Sequence, residues 1–584
     1  MSLFSKLRTR ARDVLSKTPA RAEAPVGAHS AAPKPSTLGA SPWKVGSIAP
    51  TASTPPGSWD RDPETGAPLP TGANPSASPT DHQAARLAHR HGWFAALAWK
   101  AAQGDTAAGA EAVSAMESWL RQDVPGTGLA WAHASDLSAR LIHWQAGLTW
   151  LGSAVPVSLR EAMAGSAAWH LDHLDVRTPA GDSEGLRRVL HHAGRVVGGF
   201  LFPDLEQARA AWSEGVAGLR EDLPGLMYND GSPRDAAPLA LAEVLWFAAI
   251  ARATVRVNGA GFPADADAAL ARGAHFCARL TGNVGTLPNI GDRFVGTVLD
   301  TGYPLGWSLW NLLVGWGVES GEASLRVNED PRIQWLGAPA GADPVANPSK
   351  NWSVWVWREG GFGLAEMKIK NRPSRVVAHH GVTGRGSGLT HLAPLQIVWD
   401  LGDLSILADP GPAMDHPPHA EALRGAQPHN GILIDGRSPP SPCPAEFDIG
   451  RVDGKKARLD GHHTGWTKVG IPVTHRRKVL MNQARVTVTD HLEPARASIG
   501  RHAVQLAWQF GPGWVLELEG KQWTAKQGGI SVLINLSEAL SWSLVSGQTH
   551  PHPLGWVGAT AAPCLVGSGG IEGEVKFDSS FEVR

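Results

Sequence analysis

Apolar residues recur every three to four positions in a series of segments between residues 81 and 280. This spacing places them on one face of an α-helix, and Asp81 is suited to cap the first segment. The segments are similar in length and short loops join them, although no fixed-period repeat is present. The pattern predicts helical hairpins stacked in an array or closed into a ring. The predicted helices span about 81–102, 106–121, 135–151, 157–174, 184–200, 204–221, 236–257, 264–280 and 305–316.

The hydrophobic period changes to two after about residue 350. The run NWSVWVWREGGFGLAEMKIK alternates between apolar and polar positions, and shorter runs such as LQIVWDL, GILIDG and ARVTVTDHL follow between Gly, Pro, Asn and Asp turns. Many short strands with such turns predict a large antiparallel β-sandwich. We therefore predict an N-terminal arm over 1–80, a helical domain over 81–345 and a β-sandwich domain over 346–584.

The predicted arm has two parts. Residues 2–17 form a short basic amphipathic pattern, which indicates either a solvated helix or a peripheral contact with an anionic membrane surface or a partner. Residues 18–80 are rich in Pro, Ala, Ser, Thr and Gly, as is typical of a linker. The N-terminus lacks the apolar core of a signal peptide, and no run approaches the roughly 18 apolar residues of a membrane span. We therefore expect a cytoplasmic protein without a transmembrane segment.

Composition narrows the possible functions. The 53 Lys and Arg residues balance 54 Asp and Glu residues, which argues against binding nucleic acid through a basic surface. The three cysteines lie far apart and imply no disulfide framework. The chain has 25 tryptophans, which pack cores and also stack on sugar rings. Its two tyrosines, Tyr228 and Tyr303, restrict phenolic acid–base chemistry to two positions.

Potential metal ligands flank the predicted strands between residues 391 and 436. His391, Asp409 and His429 lie at the ends of the runs HLAPLQIVWDLGDLSILADPG and PHNGILIDGR. Imidazole and carboxylate groups are suitable ligands for zinc, and rigid strands would carry two of them. The alternative is that these histidines satisfy local hydrogen bonds at the edge of a sheet.

Several passages occur in a characteristic order and spacing over residues 59 to about 515. They are DHQAARLAHRHGW at 81–93, GLAWAHASDLSARLIHW at 128–144, the NDG turn at 229–231, LPNIGD at 287–292, the stretch 391–436, HHTGW at 462–466 and HRRKVLMNQARVTVTDHLEP at 475–494. Taken together, these passages resemble the heparinase II/III-like family, and the chain is identified as a member. The resemblance implies an incomplete α/α toroid followed by a large antiparallel β-sandwich, and a polysaccharide lyase acting on uronate-containing chains.

The resemblance implies a structural zinc ion. It places His391, Asp409 and His429 at the metal-ligand positions of the family, with His463 as a weaker rival of His429. The catalytic histidine of the family, two residues before the first ligand, corresponds to Leu389 in this chain. The sequence therefore retains the implied metal ligands and lacks the implied catalytic histidine.

The implied reaction is β-elimination, which needs a group that neutralises the uronate carboxylate, a base for the C5 proton and an acid for the leaving oxygen. The Asn–His pair of the family aligns with Leu186 and Arg187, and no tyrosine precedes the GD loop. Arg234 is the candidate for neutralising the carboxylate, unless it forms a solvated ion pair beside the NDG turn. Tyr303 is the candidate acid–base residue, unless it packs against the helices.

Five further positions are candidates for binding the substrate. Arg140 and Trp144 lie four residues apart on one helical face, which lines the inner side of the toroid in the family. An Arg packed over a Trp in the core is the alternative. Asn229 and Asp230 form the NDG turn, and Trp466 stands where the family commonly has a tyrosine.

The leading hypothesis is therefore a lyase that binds an acidic polysaccharide or oligosaccharide. A glycan-binding or scaffold protein that keeps the fold and the metal is the second hypothesis, because the catalytic His, Asn and Tyr positions are changed. A glycan hydrolase using Asp230, Asp235 or Asp292 is the third. The sequence makes no prediction of the oligomeric state.

Overall fold

The structure is a computed structural model in which most of the chain after residue 82 is described. Residues 1–54 and Asp81 lie outside the described residues, and so does Tyr303. The described ranges are 55–63, 65–69, 83–123, 125–176, 184–293, 296, 298–300, 305–315, 332, 335–336, 352–382, 389–412, 420–453, 455–495, 500–549 and 553–584.

The first domain is helical, as the apolar spacing predicts. The predicted helix over 81–102 is divided at His91, whose φ of 63° is left-handed and cannot continue an α-helix. The His91 ring is buried and accepts a hydrogen bond from Trp144 Nε1 at 2.8 Å. The helices are α1 Gln83–His89, α2 Gly92–Ala102, α3 Thr106–Gln122, α4 Ala134–Leu151, α5 Val157–Val176, α6 Glu184–Leu201, α7 Ala208–Asp222, α8 Pro238–Val257, α9 Ala264–Thr281 and α10 Leu305–Gly315.

These helices form two layers. The inner helices α2, α4, α6, α8 and α10 pack side by side in chain order, and the outer helices α3, α5, α7 and α9 form a second series around them. The inner helices α2, α4, α6 and α8 each pack against the next outer helix of the chain as a hairpin, and α10 packs against the preceding outer helix α9. The inner helices α4 and α8 are buried almost all round, which explains why they are apolar on more than one face.

Helix α8 is also the single helix among the described residues that is long and apolar enough to cross a membrane. Its mean hydropathy over an 18-residue window is 1.5, and 94 % of that window is buried inside the protein. A buried helix in the core of a globular domain has the same length and composition, so this helix is weak evidence for a span.

Part of the predicted arm packs against the helices. Trp59 is buried, with its ring centroid 5.6 Å from that of Trp93, and its Nε1 donates to Ser118 Oγ at 3.3 Å. The described residues between 55 and 69 therefore contribute to the core of the helical domain instead of acting as a free linker.

The second domain consists of antiparallel sheets. The main sheets have the strand orders β1-β2-β3-β4-β5, β12-β13-β14-β19-β10-β9-β8-β7 and β15-β18-β11-β6, and β16 pairs with β17. The strands are β1 Trp352–Trp357, β2 Phe362–Ile369, β3 Arg372–His379, β4 Gln396–Leu401, β5 Leu404–Leu407, β6 Ile432–Ile434, β7 Ala445–Asp453, β8 Lys456–His463, β9 Val473–Met481, β10 Arg485–Pro494, β11 His502–Gln509, β12 Val515–Glu519, β13 Gln522–Gln527, β14 Ile530–Leu536, β15 Ser541–Ser546, β16 Trp556–Val557, β17 Thr560–Ala561, β18 Pro563–Ile571 and β19 Val575–Val583, with a short helix α11, Ala420–Arg424, before β6.

The five-stranded sheet lies between the helices and the rest of the sandwich. Alternate residues of β4 show this, because Val398 packs with the helical core while Ile397 and Trp399 pack with the sandwich core. A strand that is buried on both faces is apolar at consecutive positions, as QIVWDL is. A helical domain followed by a large antiparallel β-sandwich confirms the predicted fold class.

A buried arginine fastens the two domains together. Arg375 in β3 donates through Nη1 to the carbonyl oxygens of Leu280 at 2.6 Å and Thr281 at 2.9 Å, at the end of α9. It also donates to the Thr286 carbonyl oxygen, and its Nε and Nη2 atoms contact Asp400 Oδ2 at 3.0 and 2.8 Å. These contacts fix the loop after α9 against the sheet, and that loop leads to the candidate site.

Candidate functional site

Three buried side chains of the second domain converge at its junction with the helices. His391 precedes β4, Asp409 follows β5 and His429 precedes β6, so neighbouring sheet ends position all three. Each offers one ligand atom, and these atoms lie within 4.8 Å of one another. The structure thus brings together the three residues that the sequence predicts as metal ligands.

Hydrogen bonds orient the two imidazole rings. Nε2 of His429 lies 3.0 Å from the Leu423 carbonyl oxygen, which can only accept, so this nitrogen carries the proton. Nε2 of His391 lies 3.0 Å from Asp292 Oδ1 and likewise donates to it. Both Nδ1 atoms face the Asp409 carboxylate, at 3.1 Å for His429 and 3.9 Å for His391, and in the neutral form of the rings they present lone pairs to it.

This arrangement fits a divalent cation. Two imidazole lone pairs beside a carboxylate repel it unless a positive charge lies between them, and Nδ1 of His391 is buried without a hydrogen-bond partner. A histidine whose other nitrogen donates to a carboxylate or a carbonyl oxygen is typical of metal sites. His391, Asp409 and His429 are therefore the described residues suited to hold zinc.

Asn430 and Arg477 hold the loop that carries His429. The Asn430 amide donates to the carbonyl oxygens of Ile397 at 2.8 Å and Ala408 at 2.9 Å, which joins the loop to β4 and to the end of β5. Arg477 donates to the Asn430 carbonyl oxygen at 2.5 Å and forms a buried ion pair with Asp490 at 2.7 Å. The candidate ligands thus rest on a buried polar network.

The helical domain contributes Asp292 to the same site. Its Oδ1 accepts from His391, and its Oδ2 accepts from Arg424 Nε at 2.8 Å and lies 2.7 Å from Arg424 Nη2. The Asp292 backbone N–H donates to the Leu389 carbonyl oxygen at 2.8 Å. Thr390 Oγ1 donates to the Asp235 carbonyl oxygen at 2.6 Å, so two loops of the helical domain meet the 389–391 segment.

The NDG turn is a second contact between the domains. The Asn229 backbone N–H donates to Glu359 Oε2 at 2.7 Å, and the Glu359 backbone N–H donates to Asp230 Oδ2 at 3.0 Å. Arg234 is exposed, and its guanidinium lies 4.6 Å from the centre of the Tyr228 ring. Asp230 therefore has a docking role here, whereas Arg234 stays accessible to a ligand.

Arg140 and Trp144 lie in the core of the helical domain. Arg140 is fully buried, and it donates to the carbonyl oxygens of His89 at 2.7 Å and Ala130 at 2.6 Å and contacts His170 Nε2 at 2.8 Å. Its guanidinium also lies 4.8 Å from the centre of the Trp119 ring. Because Arg140 and Trp144 are buried, their position argues against the predicted sugar contacts. The alternative prediction, an arginine packed among aromatic rings in the core, matches the structure.

Trp466 and His463 are also buried. His463 Nδ1 accepts from the Gly465 backbone N–H at 3.1 Å, and its Nε2 lies 3.3 Å from His475 Nδ1. His475 in turn contacts Asp490 at 2.6 Å, and burial holds the pKa of His463 well below its usual range. Trp466 is fully buried, so its ring has no face exposed to a ligand.

The positions of the catalytic histidine and the Asn–His pair of the family carry apolar or cationic side chains in this chain. Leu389 and Leu186 are buried apolar side chains, and Arg187 is exposed at the start of α6. None of these can act as a neutral acid or base, and the candidate acid–base residue, Tyr303, lies outside the described residues.

Cations gather near the start of the inner helices. Arg86 and Arg90 both pair with buried Asp136, at 2.9 and 2.6 Å. Burial and the charges of Arg86, Arg90 and Arg187 lower the pKa of half-buried His133 to about 4. A side chain at Gly296 would lie 3.6 Å from Arg90 Nη1, and Gly296 follows Asp292 by four residues, or at most about 14 Å of chain. This cationic group therefore lies next to Gly296, in the loop that follows Asp292.

Asp292 and Arg424 are the residues of the junction whose role the sequence did not reveal. From the sequence, Asp292 is a candidate only as a hydrolytic carboxylate, and no pattern indicates a role for Arg424. The available signals were the LPNIGD passage, which ends on Asp292, and the position of Arg424 five residues before His429. Neither signal specifies a contact between residues that lie 132 positions apart.

The fold and the junction define a protein with the architecture of a polysaccharide lyase. Comparison with solved structures matches a heparinase III with a TM-score of 0.64 and 12 % identity, over 87 % of this chain and 78 % of that chain. A second heparinase III matches with a TM-score of 0.59 and 14 % identity, over 88 % of this chain and 80 % of that chain. A heparan sulfate lyase of Pedobacter heparinus matches with a TM-score of 0.54 and 14 % identity, over 88 % of this chain and 78 % of that chain. At these identities the likeness establishes the fold alone.

The second domain matches the model of a known family. Residues 350–571 match the family described as heparinase II/III-like, C-terminal. The chain therefore carries a heparinase II/III-like C-terminal domain, and the resemblance found in the sequence is confirmed. No curated protein sequence matches the chain.

Proposed function

We propose that this protein is a polysaccharide lyase that cleaves an acidic, uronate-containing glycan by β-elimination. The observation that supports this best is the junction, where loops of both domains meet at the buried His391–Asp409–His429 cluster and Arg424 pairs with Asp292, the partner of His391. Arg234 is exposed next to Asp235, whose carbonyl oxygen accepts from Thr390. Such charges attract carboxylate and sulfate groups.

The proposed roles follow the needs of the reaction. An arginine at the junction neutralises the uronate carboxylate, which makes the C5 proton easier to remove. A tyrosine phenol acts as acid and base, and Tyr303 and Tyr228 are the two phenols of the chain. A zinc ion held by His391, Asp409 and His429 would supply structural stability at the junction without entering the reaction.

Cleavage by elimination leaves a conjugated double bond in the product, so it is tested directly by ultraviolet absorbance. We expect absorbance to rise when the protein is incubated with at least one member of a panel of uronate polysaccharides. New reducing ends without the absorbance would instead indicate a hydrolase. An unchanged substrate throughout the panel would contradict the proposal.

If a tyrosine hydroxyl acts as acid and base, removing that hydroxyl should abolish most of the lyase activity. Tyr303→Phe and Tyr228→Phe each remove one hydroxyl with almost no change in volume. We expect Tyr303→Phe to slow formation of unsaturated product by about 100-fold or more while melting at the wild-type temperature. Because the chain has no other tyrosine, two fully active variants would rule out a tyrosine acid–base residue.

The metal assignment predicts a loss of bound zinc on substitution of Asp409. Asp409→Ala removes the only carboxylate of the cluster, so we expect zinc content to fall from about one equivalent to near zero and the melting temperature to fall with it. Exposed Asp403, in the turn between β4 and β5, provides the control variant Asp403→Ala. Equal zinc content in the two variants would contradict the assignment.

A glycan-binding protein without activity is the second candidate function. The observation that favours it is that Leu389 occupies the position of the catalytic histidine and Leu186 the position of the family asparagine, both as buried apolar side chains. Measurable binding of acidic oligosaccharides, with no product from any polysaccharide, would support this function over the lyase.

A further inference from the structure

One arginine at the junction is built as an anion receptor. Arg424 ends the short helix α11, and its side chain is 38 % exposed although its partner Asp292 is 1 % exposed. Both of its contacts go to a single oxygen, Asp292 Oδ2, through Nε at 2.8 Å and Nη2 at 2.7 Å. A guanidinium has five N–H donors, so in the described part of the chain Arg424 keeps three of them for other acceptors.

The backbone holds Arg424 in a fixed position relative to His391 and His429. The Arg424 carbonyl oxygen accepts from the Leu392 backbone N–H at 2.8 Å, one residue after His391. The preceding carbonyl oxygen, of Leu423, accepts from His429 Nε2 at 3.0 Å. A side chain that is anchored at its backbone and at Nε loses little conformational entropy when it binds a ligand.

The surroundings suit an anion at the exposed side of this guanidinium. Asp292 uses one carboxylate oxygen for His391 and the other for Arg424, so its negative charge lies behind the guanidinium. Exposed Asn289, three residues before Asp292, lies beside the Asp409–Gly411 turn, because a side chain at Gly411 would approach its amide nitrogen to 3.7 Å. The Asn289 amide is therefore an exposed polar group beside the turn that carries Asp409.

We propose that Arg424 binds an acidic group of the glycan, a uronate carboxylate or a sulfate, and that Asp292 positions it by holding its Nε edge. The proposal rests on the acidic glycan of the proposed function, and it adds the residue that recognises the charge. Binding uses the Nη edge of the guanidinium, which matches two oxygens of one carboxylate or sulfate. No bond is made or broken in this step.

The test is a titration with a fluorescently labelled heparan sulfate oligosaccharide, measured by anisotropy with wild type, Arg424→Met and Arg424→Lys. We expect Arg424→Met to bind about tenfold or more weakly, because a charge-assisted contact is lost. Arg424→Lys keeps the charge and loses the two-oxygen geometry, so its affinity should fall between the two. Arg485→Met is the matched control, since Arg485 is 47 % exposed and pairs with Glu582 at the start of β10, outside the site.

The labelled oligosaccharide is also used in carboxyl-reduced and in desulfated form. If Arg424 binds the carboxylate, the carboxyl-reduced oligosaccharide should bind wild type weakly, with the same affinity as Arg424→Met. If Arg424 binds the sulfate, the desulfated oligosaccharide should give that result instead. An unchanged melting temperature and zinc content show that Arg424→Met is folded. If Arg424→Met is not folded, the comparison of wild type with Arg424→Lys tests the proposal.

The outcomes separate this inference from the proposed function. Arg424-dependent binding without any unsaturated product supports the receptor and overturns the lyase. If Arg424→Met binds the oligosaccharide or forms product within twofold of wild type, Arg424 is not the anion receptor, and the lyase proposal still stands. Failure of wild type to bind any acidic oligosaccharide also overturns the receptor.

Discussion

Lowering the pH from about 7.5 to about 5 is expected to unfold this protein cooperatively, because buried histidines must take up protons. Burial lowers the pKa of His143 and His191 to about 4 and that of His89 to about 3. The same cause holds the pKa of His170 and His380 well below the usual range. These side chains are neutral in the folded protein and protonate in the unfolded chain at a pKa near 6.5.

The sign of the effect follows from proton binding. Above about pH 6.5 neither state binds these protons, so the histidines make stability independent of pH. Between about 6.5 and 4 the unfolded chain binds more protons, and each histidine lowers the free energy of unfolding by about 1.4 kcal/mol per pH unit. Three such histidines remove about 4 kcal/mol per pH unit, compared with a typical total of about 5–15 kcal/mol.

One carboxyl group acts in the opposite direction. Burial raises the pKa of Asp123 to about 7, so the folded protein binds a proton that the unfolded chain binds only near pH 4. Its contribution to stability therefore rises as the pH falls from about 7 to about 4, with the slope of one histidine. A single group of this kind cannot offset three or more histidines.

Acid unfolding can be measured by tryptophan fluorescence and circular dichroism at a series of pH values. His191→Gln removes one buried titrating group and is expected to move the unfolding midpoint to lower pH. His462→Gln, at a partly exposed position paired with Asp448, is the control and should leave the midpoint near that of wild type. A wild-type midpoint below about pH 4 would contradict the explanation by buried histidines.

Replacing Arg375 by methionine is expected to lower the free energy of unfolding by about 3–5 kcal/mol. The guanidinium is almost completely buried between the domains, and its removal leaves the Leu280, Thr281 and Thr286 carbonyl oxygens and the Asp400 carboxylate without this donor. A buried polar group that loses its partner pays the full cost of desolvation. The loop after α9 also loses its anchor, so Asp292 should become less well positioned.

Denaturant titration measures the change in stability, and zinc content together with oligosaccharide binding reports on the junction. Lys368→Met is the matched control, because Lys368 is an exposed cation in the neighbouring strand β2. We expect that variant to lie within about 0.5 kcal/mol of wild type. An Arg375→Met protein as stable as the control would show that the inter-domain contacts carry little energy.

Hydrophobic periodicity was sufficient for the fold class because it reports which face of each element is buried. Spacing of three to four predicted the helices, and alternation predicted the strands. The single helix predicted over 81–102 is two helices, since the left-handed His91 is held by contacts with residues such as Trp144, distant in the chain. Local spacing carries no information about such contacts.

Candidate site residues were predictable where one chain segment carries them. His391, Asp409 and His429 end neighbouring strand-like runs, so their approach to one another follows from the sheet. Arg140 and Trp144 share a helical face, and the sequence left open whether that face lines a cleft or packs in the core. Packing of the inner helices places both in the core.

The sequence by itself determined the two hydrophobic periods, the order of the two domains and the residue types suited to bind a metal. Only the tertiary structure joined Asp292 of the helical domain to His391 and Arg424 of the sandwich. The physical reason is that these contacts depend on how the end of α9 docks on the five-stranded sheet, where Arg375 binds its carbonyl groups. Docking of this kind is set by the packing of whole surfaces, which no local pattern of residues specifies.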